Sequence, residues 1–291
     1  MGLFSRLGDV GLENMESANL FEEKETKEPD PAEVASKERE EKVISENDFL
    51  IERKRVCPVC KKTFKHATIK TGRVKLLSTE LDLRGIYQGI DPNKYQVVAC
   101  PICGYSSLIN NFDNLSTGQI KLIRTNIYGK VMGIEEKVQI SYDDAIIRYQ
   151  IALACAIVKK AKDSEKAYLA LRMAWVLRGG REEYALQQHT DEVKGRLAQM
   201  ANEEKEALNA AYEGFVKARA SEFYPIAGMD EHTLDYLIAA LAFEVGKYRE
   251  AYKLLGAVLT SRSAPKRIKD KANELKDKII VKIHEEADAK S

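Results

Sequence analysis

Two cysteine pairs of one design constrain this chain more than any other feature: Cys57-Pro58-Val59-Cys60 and Cys100-Pro101-Ile102-Cys103-Gly104-Tyr105. In each, a tight turn after the first thiolate aims the second at a common point, and amides around the turn donate to sulfur and spread its charge. Gly104 falls just past its pair, where chain reversal favours positive φ. Lys61 takes the matching place in the first turn, which puts the local geometry of that turn in question more than metal binding. Four thiolates in two C-x-x-C pairs are the common structural zinc set, so Cys57, Cys60, Cys100 and Cys103 are the predicted ligands of one ion. Residues 61–99 separate the pairs, longer than a usual ribbon loop, and an inserted hairpin or loop is expected there. A rubredoxin-type iron site has the same sulfur geometry and stays open. Zinc is favoured because no flavin, haem or second redox motif accompanies the cysteines. With all four positions filled by protein, no place is left for water or substrate. The site reads as structural, folding a module with little core of its own.

His66 lies near the first pair and is read as an exposed or supporting histidine rather than a ligand. Cys155 sits in the apolar run Ile151–Val158. With no histidine or other base at useful spacing, it reads as a buried structural thiol.

The remaining charge is balanced, 46 Lys and Arg against 45 Asp and Glu, so no global field draws the chain to nucleic acid or membrane. Paired C-x-x-C motifs fit a reducing compartment. The start, MGLFSRLGDVGLE, lacks the apolar stretch of a signal peptide, and no apolar run approaches the ~20 residues needed to span a bilayer. A cytoplasmic protein is expected.

Along the chain, residues 1–46 read as a disordered tail of mixed charge, dominated by Glu and Lys between Glu22 and Lys42. Residues 47–115 are short, turn-punctuated and strand-like, with Tyr95-Gln96-Val97-Val98-Ala99 alternating into the second pair. From Ser116 to residue 285 the period turns helical. Ser116 with Gln119 and Ser141 with Asp144 form N-terminal caps, and Ser164 is expected to cap the next helix, which stops at Gly179-Gly180. A long charged stretch over 181–220 carries an apolar seam broken at Glu204. Asp143-Asp144 and Glu182-Glu183 read as surface charge. Ala239, Gly246, Tyr248 and Ala251 are spaced as in a tetratricopeptide repeat, and Pro265 opens a closing helix. Residues 286–291 form a second tail. The fold class predicted is α+β, mainly α: a zinc-ribbon-like β module followed by a tetratricopeptide-like helical-repeat domain.

The order C-P-V-C, Ser78-Thr79-Glu80-Leu81-Asp82-Leu83, Asp91-Pro92-Asn93-Lys94-Tyr95, C-P-I-C-G-Y, and later Phe223-Tyr224-Pro225-Ile226-Ala227-Gly228-Met229-Asp230-Glu231 resembles an uncharacterised bacterial family, domain of unknown function 2225. The likeness covers about residues 47–285. It implies a zinc-ribbon-like head on a helical-repeat body and no known activity.

Function is expected to be non-enzymatic, since no G-x-x-x-x-G-K, H-E-x-x-H, G-x-S-x-G or paired-carboxylate signature occurs. The first expectation is a metal-stabilised adaptor that binds another protein through its helical-repeat surface. One alternative is a nucleic-acid-binding accessory protein using the basic face of Lys61, Lys62, Lys65, Lys70, Arg73 and Lys75, with Phe64 and Tyr105 the main aromatics available for stacking. The other is a rubredoxin-like iron redox carrier.

Overall fold

Three antiparallel hairpins in succession build the head. The structure is a computed structural model that describes residues 45–131, 133–188 and 190–288. Strand β1 (Leu50–Val56) pairs with β2 (Thr63–Ile69), from Leu50 opposite Ile69 to Val56 opposite Thr63. Strand β3 (Leu76–Thr79) pairs with β4 (Gly85–Tyr87), and β5 (Val97–Ala99) with β6 (Ser106–Leu108). The first and third hairpins carry the cysteine pairs at their tips. The second is the insertion expected between them. The alternation read over 95–99 is shorter than expected, because Asp91 caps a 3-10 turn, Pro92–Tyr95, by accepting from the Asn93 amide at 2.9 Å. Of the segment 1–46, only Ser45 and Glu46 lie among the described residues. Glu46 opens a 3-10 turn and is bound, accepting from Tyr95 Oη at 2.9 Å and pairing with Lys94 at 2.7 Å.

Seven α-helices follow among the described residues: α1 (Thr117–Asn126), α2 (Tyr142–Val158), α3 (Asp163–Tyr184), α4 (Asp191–Ser221), α5 (Glu231–Glu244), α6 (Tyr248–Thr260) and α7 (Lys266–Asp288). The chain is α+β and mainly α. Ser116 and Ser141 form the two reciprocal caps that their spacing predicts. Helices α5 and α6 make a tight hairpin, with Gly246 at φ +80°, Ala239 and Ala251 fully buried, and the Phe243 and Tyr248 rings 5.6 Å apart.

Several local expectations are corrected. Gly179-Gly180 does not end a helix: α3 runs through both to Tyr184. A Cβ on Gly179 would sit 2.7 Å from the Tyr142 ring, and one on Gly180 would sit 3.0 Å from Met200 Cε. These glycines serve close helix approach, not termination. Ser164 is not the N-cap of α3, which is Lys162; it lies in the first turn, donating from its amide (2.9 Å) and Oγ (2.6 Å) to Glu222. Residues 286–288 of the expected second tail are helical, since α7 continues to Asp288, and the rest of it lies outside the described residues.

Glu204 does not break the α4 seam. It is buried there because Arg178 and Arg181 of α3 reach it at 2.7 and 2.5 Å. The acidic pairs are likewise engaged. Glu182 accepts both Arg84 amino groups at 2.7 Å, and Asp143 takes Tyr184 Oη and Arg196. The Arg84–Glu182 pair belongs to a network that seats the β3–β4 hairpin on the helices. Asp82, 1 % exposed, accepts from Trp175 Nε1 at 3.0 Å and forms an ion pair with Arg178 at 2.9 Å. Around it Tyr236 donates to the Leu81 carbonyl (2.7 Å), and Lys271 donates to the carbonyls of Thr79 and Glu80 (2.8 and 3.0 Å).

Two apolar cores result. The larger joins Phe49, Leu50, Tyr95, Val97 and Leu108 of the head to residues of α2 through α7. The smaller gathers Val59, Phe64, Val98, Tyr105 and Phe112 around the cysteines and adds Ile123, Ile127 and Cys155 from α1, its C-terminal flank and α2. Both cores cross the change of secondary structure at 115/116, and the described residues between 45 and 288 fall in one compact unit.

Candidate metal centre

Each cysteine pair occupies a hairpin tip whose closure is set by the backbone. In the first, the Cys57 amide donates to the Lys62 carbonyl and the Lys61 amide to the Cys57 carbonyl, both at 2.9 Å. In the second, the Cys100 amide donates to the Tyr105 carbonyl at 2.9 Å and the Gly104 amide to the Cys100 carbonyl at 3.0 Å. The two tips match position for position. Lys61 adopts φ +63° where Gly104 adopts +79°, so the turn geometry is kept at Lys61. The first knuckle takes the left-handed turn despite its side chain, at a cost of roughly 1–2 kcal/mol. Gly104 is tied to glycine a second way, since a Cβ there would lie 2.6 Å from Val131 Cβ.

The tips face each other, and the four sulfurs all lie within 4.8 Å of one another. Cys57 Sγ is 3.6 Å from Cys103 Sγ, and Cys60 Sγ is 3.7 Å from Cys100 Sγ. A tetrahedron of Zn–S bonds of about 2.3 Å has S–S edges of about 3.8 Å, so the sulfur spacing fits such an ion. Without a cation the thiols depend on one another. Cys100 is held far below the ordinary thiol range by hydrogen bonds with Cys103 and Cys57, while Cys103 and Cys57 are pushed up by theirs with Cys100 and by burial. A bound dication reverses this by stabilising all four as thiolates. The four cysteines can therefore hold a metal ion.

Surrounding side chains fix the tips. Arg124 of α1 donates from Nε and Nη2 to the Val59 carbonyl at 3.0 and 2.7 Å, bracing the first knuckle through its own turn. Tyr105 Oη donates to the Phe112 carbonyl at 3.1 Å, and the two rings lie 4.9 Å apart. Cys155 is fully buried against the second knuckle, where its sulfur accepts from the Ser106 amide at 3.5 Å. Burial raises its thiol to about 11. His66 is outside the sulfur cluster; its Nδ1 lies 3.3 Å from the Ala67 carbonyl, and burial lowers its basicity. Nothing in the spacing of Arg124 or Cys155 marks them as knuckle supports, because each reaches its partner from a helix 49 to 65 positions away.

A four-thiol knuckle head seated on a helical body defines the class of this protein. The chain belongs to the family described as an uncharacterized protein conserved in bacteria, domain of unknown function 2225, which matches residues 50–279. No curated protein and no solved structure matches it. No helix among the described residues is long and apolar enough to cross a membrane.

Proposed function

We propose that this protein is a non-enzymatic adaptor in which a structural zinc ion closes the head and the helical body binds a partner protein. The observation that carries the metal half is the convergence of four protein thiols on one point. Such a donor set fills a tetrahedral shell and leaves no coordination position for substrate. Zinc answers to the same geometry as iron, and metal analysis separates them: one zinc per chain in protein purified aerobically supports the reading. A visible thiolate-to-iron band with stoichiometric iron supports the redox carrier instead.

The partner half rests on a groove of about 610 Å³ between α2, α3 and α4. Leu153, Ile157, Ala170 and Met173 line it, with Ile157 67 % exposed. Glu203, Glu206 and Glu213 edge it along α4, outnumbering Lys217 there, while Lys166 on α3 is paired with Asp163. An apolar groove with an acidic edge suits an amphipathic helix with basic flanks. A photo-crosslinker at Gln150, on the rim of the same groove, should capture such a segment, and Ile157→Glu should abolish capture without lowering Tm. Capture unchanged by Ile157→Glu would remove the groove from the reading. A tetratricopeptide-like α5–α6 hairpin fits this use of the body. The basic β1–β2 hairpin is less suited to single-stranded nucleic acid, because Phe64 and Tyr105 are buried at 2 % and 0 % exposure and offer no stacking surface.

A further inference from the structure

The balance of charge inside the protein singles out Arg172. Buried Arg84 and partly buried Arg178 are each met by carboxylates, Glu182 for one and Glu80, Asp82 and Glu204 for the other. Arg172, on the same helix as Arg178, has no carboxylate within ion-pairing distance among the described residues. It donates to Asn93 Oδ1 at 3.0 Å and to Tyr168 Oη, both neutral acceptors, and its Nε is buried without a partner. The guanidinium carbon lies 4.8 Å from the centre of the Tyr168 ring and 5.5 Å from that of Trp175. Ring faces hold and orient a cation, but they leave its charge uncancelled.

Arg172 lines a cleft of about 420 Å³ between the β6–α1 loop of the head and the α3 and α4 ends of the body. That volume lies in the range of small-molecule sites. The cleft's two acids are already engaged: Glu165 pairs with Lys159 at 2.7 Å, and Glu222 takes both donors of Ser164. Ser164 is neutral, so Glu222 keeps its negative charge; against it stand Arg172 and Lys162, neither with an ion-pair partner among the described residues, and the balance at the cleft is positive by one charge. Asn110 and Asn111 add amide groups, and Phe223, 96 % exposed, offers a bare aromatic face. A partly buried cation without a counter-ion is costly, and a preorganised guanidinium at a cleft is the usual receptor for a carboxylate or phosphate.

The geometry points to this cleft as a binding site for a small organic anion, whose carboxylate or phosphate pairs with Arg172 while its flat portion rests on Phe223. The site is separate from the metal centre and from the α2–α4 groove, and it stands whether or not the adaptor reading does.

The only tryptophan of the chain, Trp175, is a built-in reporter beside the guanidinium. Titration of the full-length, metal-loaded protein with benzoate, phenyl phosphate and inorganic phosphate is expected to give a saturable fluorescence change with at least one aromatic anion. Benzoate and phenyl phosphate distinguish a carboxylate ligand from a phosphate ligand, and neutral benzamide should be inert. Arg172→Gln should weaken binding about tenfold or more, the loss expected for one charge-assisted hydrogen bond. Phe223→Ala and Lys162→Ala, both at exposed positions, should each weaken it several-fold with unchanged Tm. These two variants carry the test if Arg172→Gln does not fold. Absence of saturation with all three anions up to millimolar concentration, equal binding of benzamide, or wild-type affinity in both Phe223→Ala and Lys162→Ala would overturn the assignment.

Discussion

The two most polar places inside this protein are balanced in opposite ways. Around Asp82 and Glu204 the buried charges are matched by the chain itself, with Arg178 bridging both acids and Arg84, Arg181 and Lys271 placed around them. At the knuckles four sulfurs converge within 4.8 Å with no cationic side chain among them, Arg124 being engaged by the Val59 carbonyl. A self-balanced cluster persists whenever the helices pack. A cluster of like groups holds only when something outside the chain neutralises it. The body should therefore be stable in its own right, and the head conditional on its metal.

The largest expected effect separates the two regions. Structural zinc contributes on the order of 10 kcal/mol to folding of small knuckle modules. Chelation, or Cys57→Ser and Cys103→Ser, should release the metal and collapse hydrogen-exchange protection in β1, β2, β5 and β6, while α3–α7 keep most of their helical circular dichroism. Cys60 is partly exposed, which gives a chelator access. Full metal content and unchanged protection in both serine variants would break the comparison at its root.

Removing the bridging cation tests the other cluster. Arg178→Met should cost about 3–5 kcal/mol in urea unfolding, because it leaves Asp82 and Glu204 buried with their balance lost. A cost below about 1 kcal/mol would mean that the acids do not depend on Arg178.

The two knuckles provide an internal control. Gly104→Ala meets both a left-handed φ and Val131 and should cost about 2–3 kcal/mol. Lys61→Gly relieves φ +63° with nothing else altered, and should raise stability by up to about 1 kcal/mol. Equal effects at the two sites would contradict the tight packing assigned to Gly104.

Smaller again is a pair of helix glycines. Gly195, where an added Cβ would find nothing within 4 Å, should gain about 1 kcal/mol on substitution by Ala. Gly179→Ala should lose about 1 kcal/mol instead, because the new methyl meets the Tyr142 ring, which is held by its bond to Asp91. Thermal melts of both variants decide the sign.

The smallest effect concerns acid. Arg84 holds the Glu182 carboxyl below its usual range, chiefly through their hydrogen bonds. A depressed folded-state pKa gives stability that is present above the unfolded carboxylate range and lost as pH falls through the folded value. Glu182→Gln should therefore flatten the acid side of the stability profile below about pH 4.5, leaving little slope change above it. The carboxylate is 55 % exposed, so solvent screening keeps the change small. An unaltered acid slope would show that the pair contributes nothing measurable.

Much of this arrangement is legible in the residues alone. The C-x-x-C repeats name the four cysteines that converge, the Ser116 and Ser141 boxes close locally, and the Gly246 turn reads directly from its neighbours. What does not show is long-range. Glu204 looks like a flaw in an apolar seam because its partners, Arg178 and Arg181, lie 26 and 23 positions earlier. Gly179-Gly180 looks like a terminator because a helix stop and a close helix crossing require the same residue. Arg172 carries no signal, since a lone arginine in a helix says nothing about whether an acid will meet it.

By itself, then, the sequence determined whatever depends on residues a few positions apart: the turn that aims two thiols, the caps that start helices, the period that separates head from body. Tertiary structure alone decided which distant groups share a buried space. It brought the two knuckles face to face, balanced Asp82 and Glu204, and left Arg172 unmatched at a cleft. The reason is physical. Local hydrogen bonding and chain stereochemistry are fixed within a turn or two, whereas the cost of burying a charge depends on everything the fold places around it.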